Sequence, residues 1–292
     1  MLIPIILLNY NSSKDCRKCV GFLKRQQGIE LEIIIVDNCS QDDDREQIKL
    51  LCREYGCTFI PADENRGYNA GNNIGLRYAA TQNYKYALIA NPDMEFPQTD
   101  YIAKMVNAME KRPNVVVCGS DIVGPEGIHQ NPMERDGNWR SSVYWLFGML
   151  KWKKSINNSK PVFSFCNSQY CYKVSGCCLL VRIDYMRSIN YFDENVFLYT
   201  EEAILAKQIE RDNKQMYYLA ETQAIHRHIK SEKGDPIKHI RQCKQSRIYF
   251  IKHYSSDTHI GKLIAVIAMR LYVVVITATL KLKKDERANQ IY

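Results

Sequence analysis

Short apolar runs alternate with helix-length amphipathic segments through the first two thirds of the chain, and this alternation constrains the fold more than any other feature. Ile3 to Leu8 is almost wholly apolar and is followed by Asn-Tyr-Asn-Ser, which predicts a buried strand. A helix beginning at Ser13 and running to about Gln27 is expected next. Strands are then predicted at Glu32–Val36, Cys57–Pro61, Tyr86–Ala90 and Val115–Cys118, with helices at Asp43–Tyr55, Ala70–Thr81 and Gln98–Lys111 between them. Short connections in this rhythm predict an α/β fold, a mostly parallel sheet flanked by helices on both faces. In such a sheet, ligands bind beyond the carboxyl ends of the strands.

Residues 121–170 interrupt the rhythm with Gly, Pro, Asn and aromatic residues, including Trp139, Trp145 and Trp152. A loop-rich insertion of this length predicts a functional segment, and aromatic faces suit sugars, although core packing explains tryptophans equally well. A strand at Val174–Val181, a helix at Glu201–Arg211 and a strand at Gln215–Leu219 follow. Two terminal helices are expected at Ile237–Lys252 and His259–Leu282. This divides the chain into 1–230, with 121–170 as an insertion, and a C-terminal helical part, 231–292.

The formal net charge of +8 is unevenly spread. From His226 onward there are 14 Lys/Arg and 5 Asp/Glu, so the preceding residues are nearly neutral. That argues against nucleic-acid binding by the α/β part. Leu263–Leu280 is apolar apart from Arg270. At about 100° per residue, His259, Lys262, Arg270, Thr277, Lys281 and Lys284 fall within one arc, while Thr279 and Lys283 lie off it. A basic stripe on an apolar helix predicts association with an anionic membrane surface, against the alternatives of a span or a core helix. Eleven cysteines, an odd number, and an N-terminus without a basic leader or small-residue cleavage site predict a reducing cytosol. Cys16 and Cys19 form an isolated C-x-x-C, expected as plain thiols rather than zinc ligands.

Three polar clusters follow strands. Asp37-Asn38-Cys39-Ser40 places a carboxylate where it could accept from a nucleobase or ribose, or cap a helix. Asn65 to Asn73 sets two glycines and four amides around a helix start, as an anion cradle or a capped turn. Asn91-Pro92-Asp93 holds a carboxylate on a rigid turn, suited to a hard cation or simply to the turn. The first strand leads into Asn9-Tyr10-Asn11-Ser12 rather than G-x-G-x-x-G, and the chain contains neither a P-loop nor a G-x-S-x-G elbow.

The order NYNS, VDNCS, ENRGYNAGNNIGL, NPD, VSGCCLLVR, FDENVFLYTEE and IHRH resembles a family 2 glycosyltransferase of GT-A fold, closest to the rhamnosyltransferase-like polysaccharide branch. Gly124-Pro125-Glu126-Gly127 with Gln130 resembles a turn common there. The resemblance covers roughly Ile3 to His228. It implies inverting transfer of a sugar from a UDP- or dTDP-sugar to a lipid-linked saccharide acceptor in surface polysaccharide synthesis. It also implies a divalent metal, Mg or Mn; the basic C-terminal helix predicts a peripheral place on the inner face of the cell membrane, and the near-neutral α/β part predicts no nucleic-acid partner. Asn9, Asn11, Asp37, Asn65, Gly67, Asn72 and Asn91 would line the donor. Asp93 and His226, with His228 as the alternative, would hold metal, although Asn91 stands where the family has its first Asp. Glu202 matches the catalytic base, an Asp in the family, with Glu201 beside it; consecutive helical residues point about 100° apart, so only one faces the acceptor well. A soluble acceptor, or a non-catalytic nucleotide-sugar or nucleic-acid binding module, are the competing readings.

Overall fold

The computed structural model describes residues 1–143, 164–227 and 236–289. Its strands are β1 (Leu2–Asn9), β2 (Glu30–Asp37), β3 (Thr58–Pro61), β4 (Tyr86–Ala90), β5 (Met94–Glu95), β6 (Val115–Val123), β7 (Gln169–Cys171), β8 (Cys178–Arg182) and β9 (Gln215–His226). Its helices are α1 (Ser13–Leu23), α2 (Asp42–Tyr55), α3 (Tyr68–Thr81), α4 (Tyr101–Glu110), α5 (Ile183–Ser188), α6 (Glu201–Arg211), α7 (Pro236–His253) and α8 (His259–Asn289). The strands form one sheet in the order β3-β2-β1-β4-β8-β6-β9-β5, with β7 also on β9. β3, β2, β1, β4, β6 and β9 share a direction, whereas β8, β5 and β7 run against it. The mostly parallel sheet is therefore present, and β8 begins at the edge where the parallel strands end.

Alternation along β1 and β2 builds two cores. Ile3, Ile5, Leu7, Ile33 and Ile35 pack with Cys16, Cys19 and Val20 of α1, Ile48 and Leu51 of α2, and Met105 of α4. Ile6, Leu8, Ile34 and Val36 turn to the other face and meet Leu76 and Ala79 of α3, Met186 of α5, and Leu205 and Ile209 of α6. Period-two side-chain alternation makes this division, so each strand feeds both layers. α3 lies close on β1: a Cβ at Gly71 or Gly75 would run into the Leu8 or Ile6 side chain. Cys16 and Cys19 are fully buried thiols of the first core, as expected.

Several boundaries differ from expectation. α1 stops at Leu23 because Gln26 and Gln27 turn away to bond Gln98 O at 2.7 Å and Thr99 O at 2.7 Å. β6 and β9 extend well past their predicted ends, and β5 and α5 were not anticipated. Val174 to Cys177, expected as the start of a strand, is a loop leading into β8.

The described residues of Met1–Arg135, Val162–Phe197 and Glu201–Ile229 form one compact unit, which contains the sheet. Asp136–Pro161, Leu198–Thr200 and Lys230–Tyr292 belong to a second. The 121–170 insertion is thus divided between the two. Within the second unit, Arg247 pairs with Asp136 at 2.7 Å and Ser246 Oγ donates to Leu198 O at 2.7 Å. Trp139 packs on Gly261 of α8, a structural use of that ring; Trp145 and Trp152 lie outside the described residues. Ala265, Ala268 and Met269 of α8 are buried, whereas Ile260, Leu263, Ile267, Leu271 and Val274 form an exposed apolar row. The outward face of α8 therefore carries more than a basic stripe.

Candidate active site

All three polar clusters reach the same edge of the sheet, in two corners. The first corner is a closed hydrogen-bond knot. Asn9 Nδ2 donates to Asp37 Oδ1 (2.9 Å), Ser40 Oγ (3.0 Å) and Asp44 Oδ2 (2.8 Å), while Asn9 Oδ1 accepts from Ser12 N (3.1 Å) and Ser12 Oγ (3.0 Å). Asp37 Oδ2 accepts from Arg45 Nε at 3.0 Å. Asp44 Oδ1 accepts from Ser13 N, so a residue of α2 caps the start of α1. Burial of Asp44 works against its charge, but the hydrogen bonds from Asn9 and Ser13 outweigh it and hold the carboxyl below its ordinary value.

Asn9, Asp37 and Asn72 are fully enclosed, so as they stand they offer no surface to a donor. The side-chain amide of Asn72 bonds Tyr68 O at 3.0 Å, one turn back on its own helix. Asn11 is exposed, with φ 54°, and its Oδ1 accepts from Gln41 N at 2.8 Å. Asn65 Oδ1 accepts from Asn38 Nδ2 (3.0 Å) and Gly67 N (3.0 Å). Of the two readings of this cluster, the backbone contacts at Gly67 match the capped turn. Gly67 has φ 100°, and a Cβ there would collide with the Phe197 carbonyl. Tyr68 N donates to that same Phe197 O at 2.8 Å. Close approach is indeed why glycine is required, but the approaching group is the protein's own backbone.

The second corner is less complete. β5 pairs antiparallel with β9, placing Met94 opposite His226. Asp93 Oδ1 consequently lies 3.3 Å from His226 Nε2. Gln130 Oε1, 2.9 Å from His226 Nδ1, fixes the opposite side of the ring. Burial disfavours a charged imidazole here, yet contacts with Asp93 and Cys177 outweigh it and raise His226 to about 10. Asn91 N donates to Cys177 O at 2.8 Å, which ties the Asn-Pro-Asp turn to the loop before β8. Once an incoming cation displaces the proton from Nε2, the carboxylate oxygen and imidazole nitrogen, with the ring held from behind by Gln130, fit one side of a divalent ion's coordination sphere. Among the described residues no group of three or more His, Cys, Asp or Glu side chains could hold an ion, so remaining ligands would come from substrate oxygens. His228 lies outside the described residues.

One residue before Cys177, Gly176 meets the acidic pair. Its N–H donates to Glu202 Oε1 at 3.1 Å, and a Cβ on it would stand 3.3 Å from both Glu201 Oε1 and Glu202 Oε1. The two glutamates differ as their helical spacing requires. Glu201 is buried, and that burial, with repulsion from Glu202, raises its carboxyl to about 8. Glu202 is only half-buried. Both follow Tyr199 and Thr200, which have φ 66° and 76°. A β-branched residue at such an angle is a strained entry to a helix.

Two contributors escaped sequence reasoning. Gln130 was visible as part of a turn, but its bond to His226 depends on β6 and β9 lying side by side. Asn73 clamps the Phe192 backbone, donating to Phe192 O at 2.9 Å and accepting from Phe192 N at 3.0 Å. The repeated amides of α3 were its only signal.

The solved mannosyltransferase PcManGT of Pyrobaculum calidifontis, in complex with GDP-Man and Mn2+, superposes with a TM-score of 0.59 at 13% identity, covering 99% of this chain and 80% of that one. The fold is that of the GT-A glycosyltransferases. The low-salt glycan biosynthesis hexosyltransferase Agl10 of Haloferax volcanii is 27% identical over 226 residues, which are 77% of this chain and 66% of that protein, just under two thirds. The N-acetylglucosaminyl-diphospho-decaprenol L-rhamnosyltransferase of Mycobacterium tuberculosis is 19% identical over 89% of this chain and 86% of its own length. The profile of glycosyl transferase family 2 matches residues 5–175, more than half of the sequence and most of the sheet described above, and the chain belongs to that family.

Proposed function

We propose that this glycosyltransferase inverts the anomeric centre as it moves a sugar from a nucleotide diphosphate to a lipid-linked saccharide for surface polysaccharide. The observation that carries this reading is the Gly176-Cys177 step, which ties the acidic pair to the Asp93–His226 pair through consecutive residues. Direct displacement needs a base on one side of the anomeric carbon and charge relief on the leaving diphosphate at the other. Glu202 takes the proton of the acceptor hydroxyl. Glu201, protonated near neutrality, leaves the charge of the pair on its neighbour. Asp93 and His226 would hold a divalent ion, which supplies Lewis-acid neutralisation of the diphosphate when bound. Oxygen ligands suit Mg or Mn, and the imidazole nitrogen favours Mn of the two. The nucleotide lies along Asn11, Asn65 and Asn91, over the floor made by Asn9, Asp37 and Asn72.

Support for the lipid-linked acceptor comes from the relative named for a diphospho-decaprenol substrate, and from α8. His259–Leu280 contains an 18-residue window of mean hydropathy 2.3 and is long and apolar enough to cross a membrane. With its exposed apolar row and the basic excess around it, we place α8 in the cytosolic interface of an anionic membrane. Residues 1–230 then act as the catalytic domain and 231–292 as its attachment. UDP-, dTDP- and GDP-sugars, assayed for nucleotide diphosphate release with a polyprenyl-diphosphate saccharide or a soluble sugar, test the reading. Release stimulated by the lipid-linked acceptor on anionic vesicles is expected. Stimulation by the soluble sugar alone makes the acceptor soluble, and no release with any donor makes the protein a binder.

A further inference from the structure

Gly176 is held from both sides, and only one side belongs to the acidic pair. While its N–H engages Glu202 Oε1 at 3.1 Å, its carbonyl accepts from Tyr68 Oη at 2.7 Å. Tyr68 opens α3 immediately after Gly67. Its own N–H is pinned to Phe197 O at 2.8 Å, so the ring starts from a fixed point. Burial, then the nearby charges of Glu201, Cys177 and Glu202, raise the phenol well above its ordinary value. The hydroxyl is therefore a permanent donor at physiological pH. Asp93 and His226 have separate support, in Gln130 and in the pairing of β5 with β9.

We infer that Tyr68 is a positioning residue for the proposed base, acting through Gly176. Its hydroxyl fixes the Gly176 carbonyl, and so the orientation of a glycine that has no side chain to hold it. The Gly176 N–H then constrains the rotamer of Glu202. A methyl at 176 would stand 3.3 Å from both carboxylates, so a larger residue there displaces the acidic pair by a few tenths of an ångström. Without side-chain packing, backbone orientation at that residue depends on its hydrogen bonds. This inference rests on the reading of Glu202 as base.

A double-mutant cycle on the full chain tests it. Tyr68→Phe keeps the ring and removes the donor. It is expected to lower kcat roughly tenfold, about the worth of one hydrogen bond, with donor KM changed by less than about twofold. In the Glu202→Gln background the same change is expected to leave the residual rate unaltered, because the residue it positions is already disabled. Equal proportional losses in both backgrounds, or an unchanged kcat in the first, overturn the inference. Gly176→Ala provides a second variant, expected to show the same dependence on background, and thermal melts check that each variant is folded. Near wild-type turnover by Glu202→Gln alone removes the base reading, a result separate from anything Tyr68→Phe does.

Discussion

The two corners of the sheet edge use similar residues to opposite ends. Around Asn9 and Asp37, amides, hydroxyls and carboxylates answer one another until the central groups are sealed. Around Gly176, two carboxylates stand side by side, one of them buried and raised to about 8, and an imidazole is raised to about 10. Polar groups that satisfy one another stabilise a shape, whereas titratable groups pushed from their ordinary values are poised to exchange protons or ligands. A polar cluster after a strand looks the same in both cases until its partners are known.

Substitutions divide the two corners by what they damage. Glu202→Gln should carry the largest effect, about 10³-fold in turnover with donor affinity and melting temperature unchanged. Wild-type turnover would place the chemistry elsewhere. Asn9→Ala should do the reverse. It leaves Asp37, Ser12 and Asp44 without their shared partner, at a cost of about 3 kcal/mol in chemical denaturation. If its main effect is instead on donor binding in a fully folded protein, the closed corner is itself part of the site.

Two smaller effects refine the contrast. Gln130→Leu, which frees His226 Nδ1, should weaken Mn2+ binding measured by electron paramagnetic resonance roughly 10- to 100-fold. Unaltered affinity would show that Gln130 does not orient the ring. Glu201→Gln should change turnover near neutral pH less than about twofold, since the amide imitates the protonated acid. Its signature is in stability. A carboxyl raised from 4.5 to about 8 contributes stability that is fully present below its unfolded value and lost as pH rises through the folded one. Between about pH 4.5 and 8, stability should therefore fall with pH in the wild type and fall less in Glu201→Gln; parallel slopes would contradict the raised carboxyl.

The fold was largely legible because burial writes itself into composition. Runs such as Ile33–Val36 and Ala87–Ala90 are sealed on both faces and contain almost nothing polar. The site was legible in place but less so in role. Asp93 meets His226 and Gly176 meets Glu202; the helix start at Glu201 was readable, but the first pair depends on β5 and the extension of β9, which were not. Asp37 was readable either as a nucleotide acceptor or as a helix cap, and only the fold reveals the Asn9 and Arg45 groups around it. Val174–Cys177 looked like strand because Val174 and Cys177 are apolar and buried, yet β8 starts only at Cys178. Apolar content reports burial, and a buried loop satisfies it as well as a strand does. The roles of Gln130, Asn73 and Tyr68 were hidden for another reason: each acts on a residue about 95 to 120 positions away, and no local pattern encodes that.

The outward row of α8 has a practical consequence. Ile260, Leu263, Ile267, Leu271 and Val274 recur every three or four residues, which gives isolated protein in plain buffer a continuous sticky seam. Such a preparation should be limited by concentration before it is limited by heat. Mild detergent, rather than a cooler bench, would be the condition in which its chemistry is best measured.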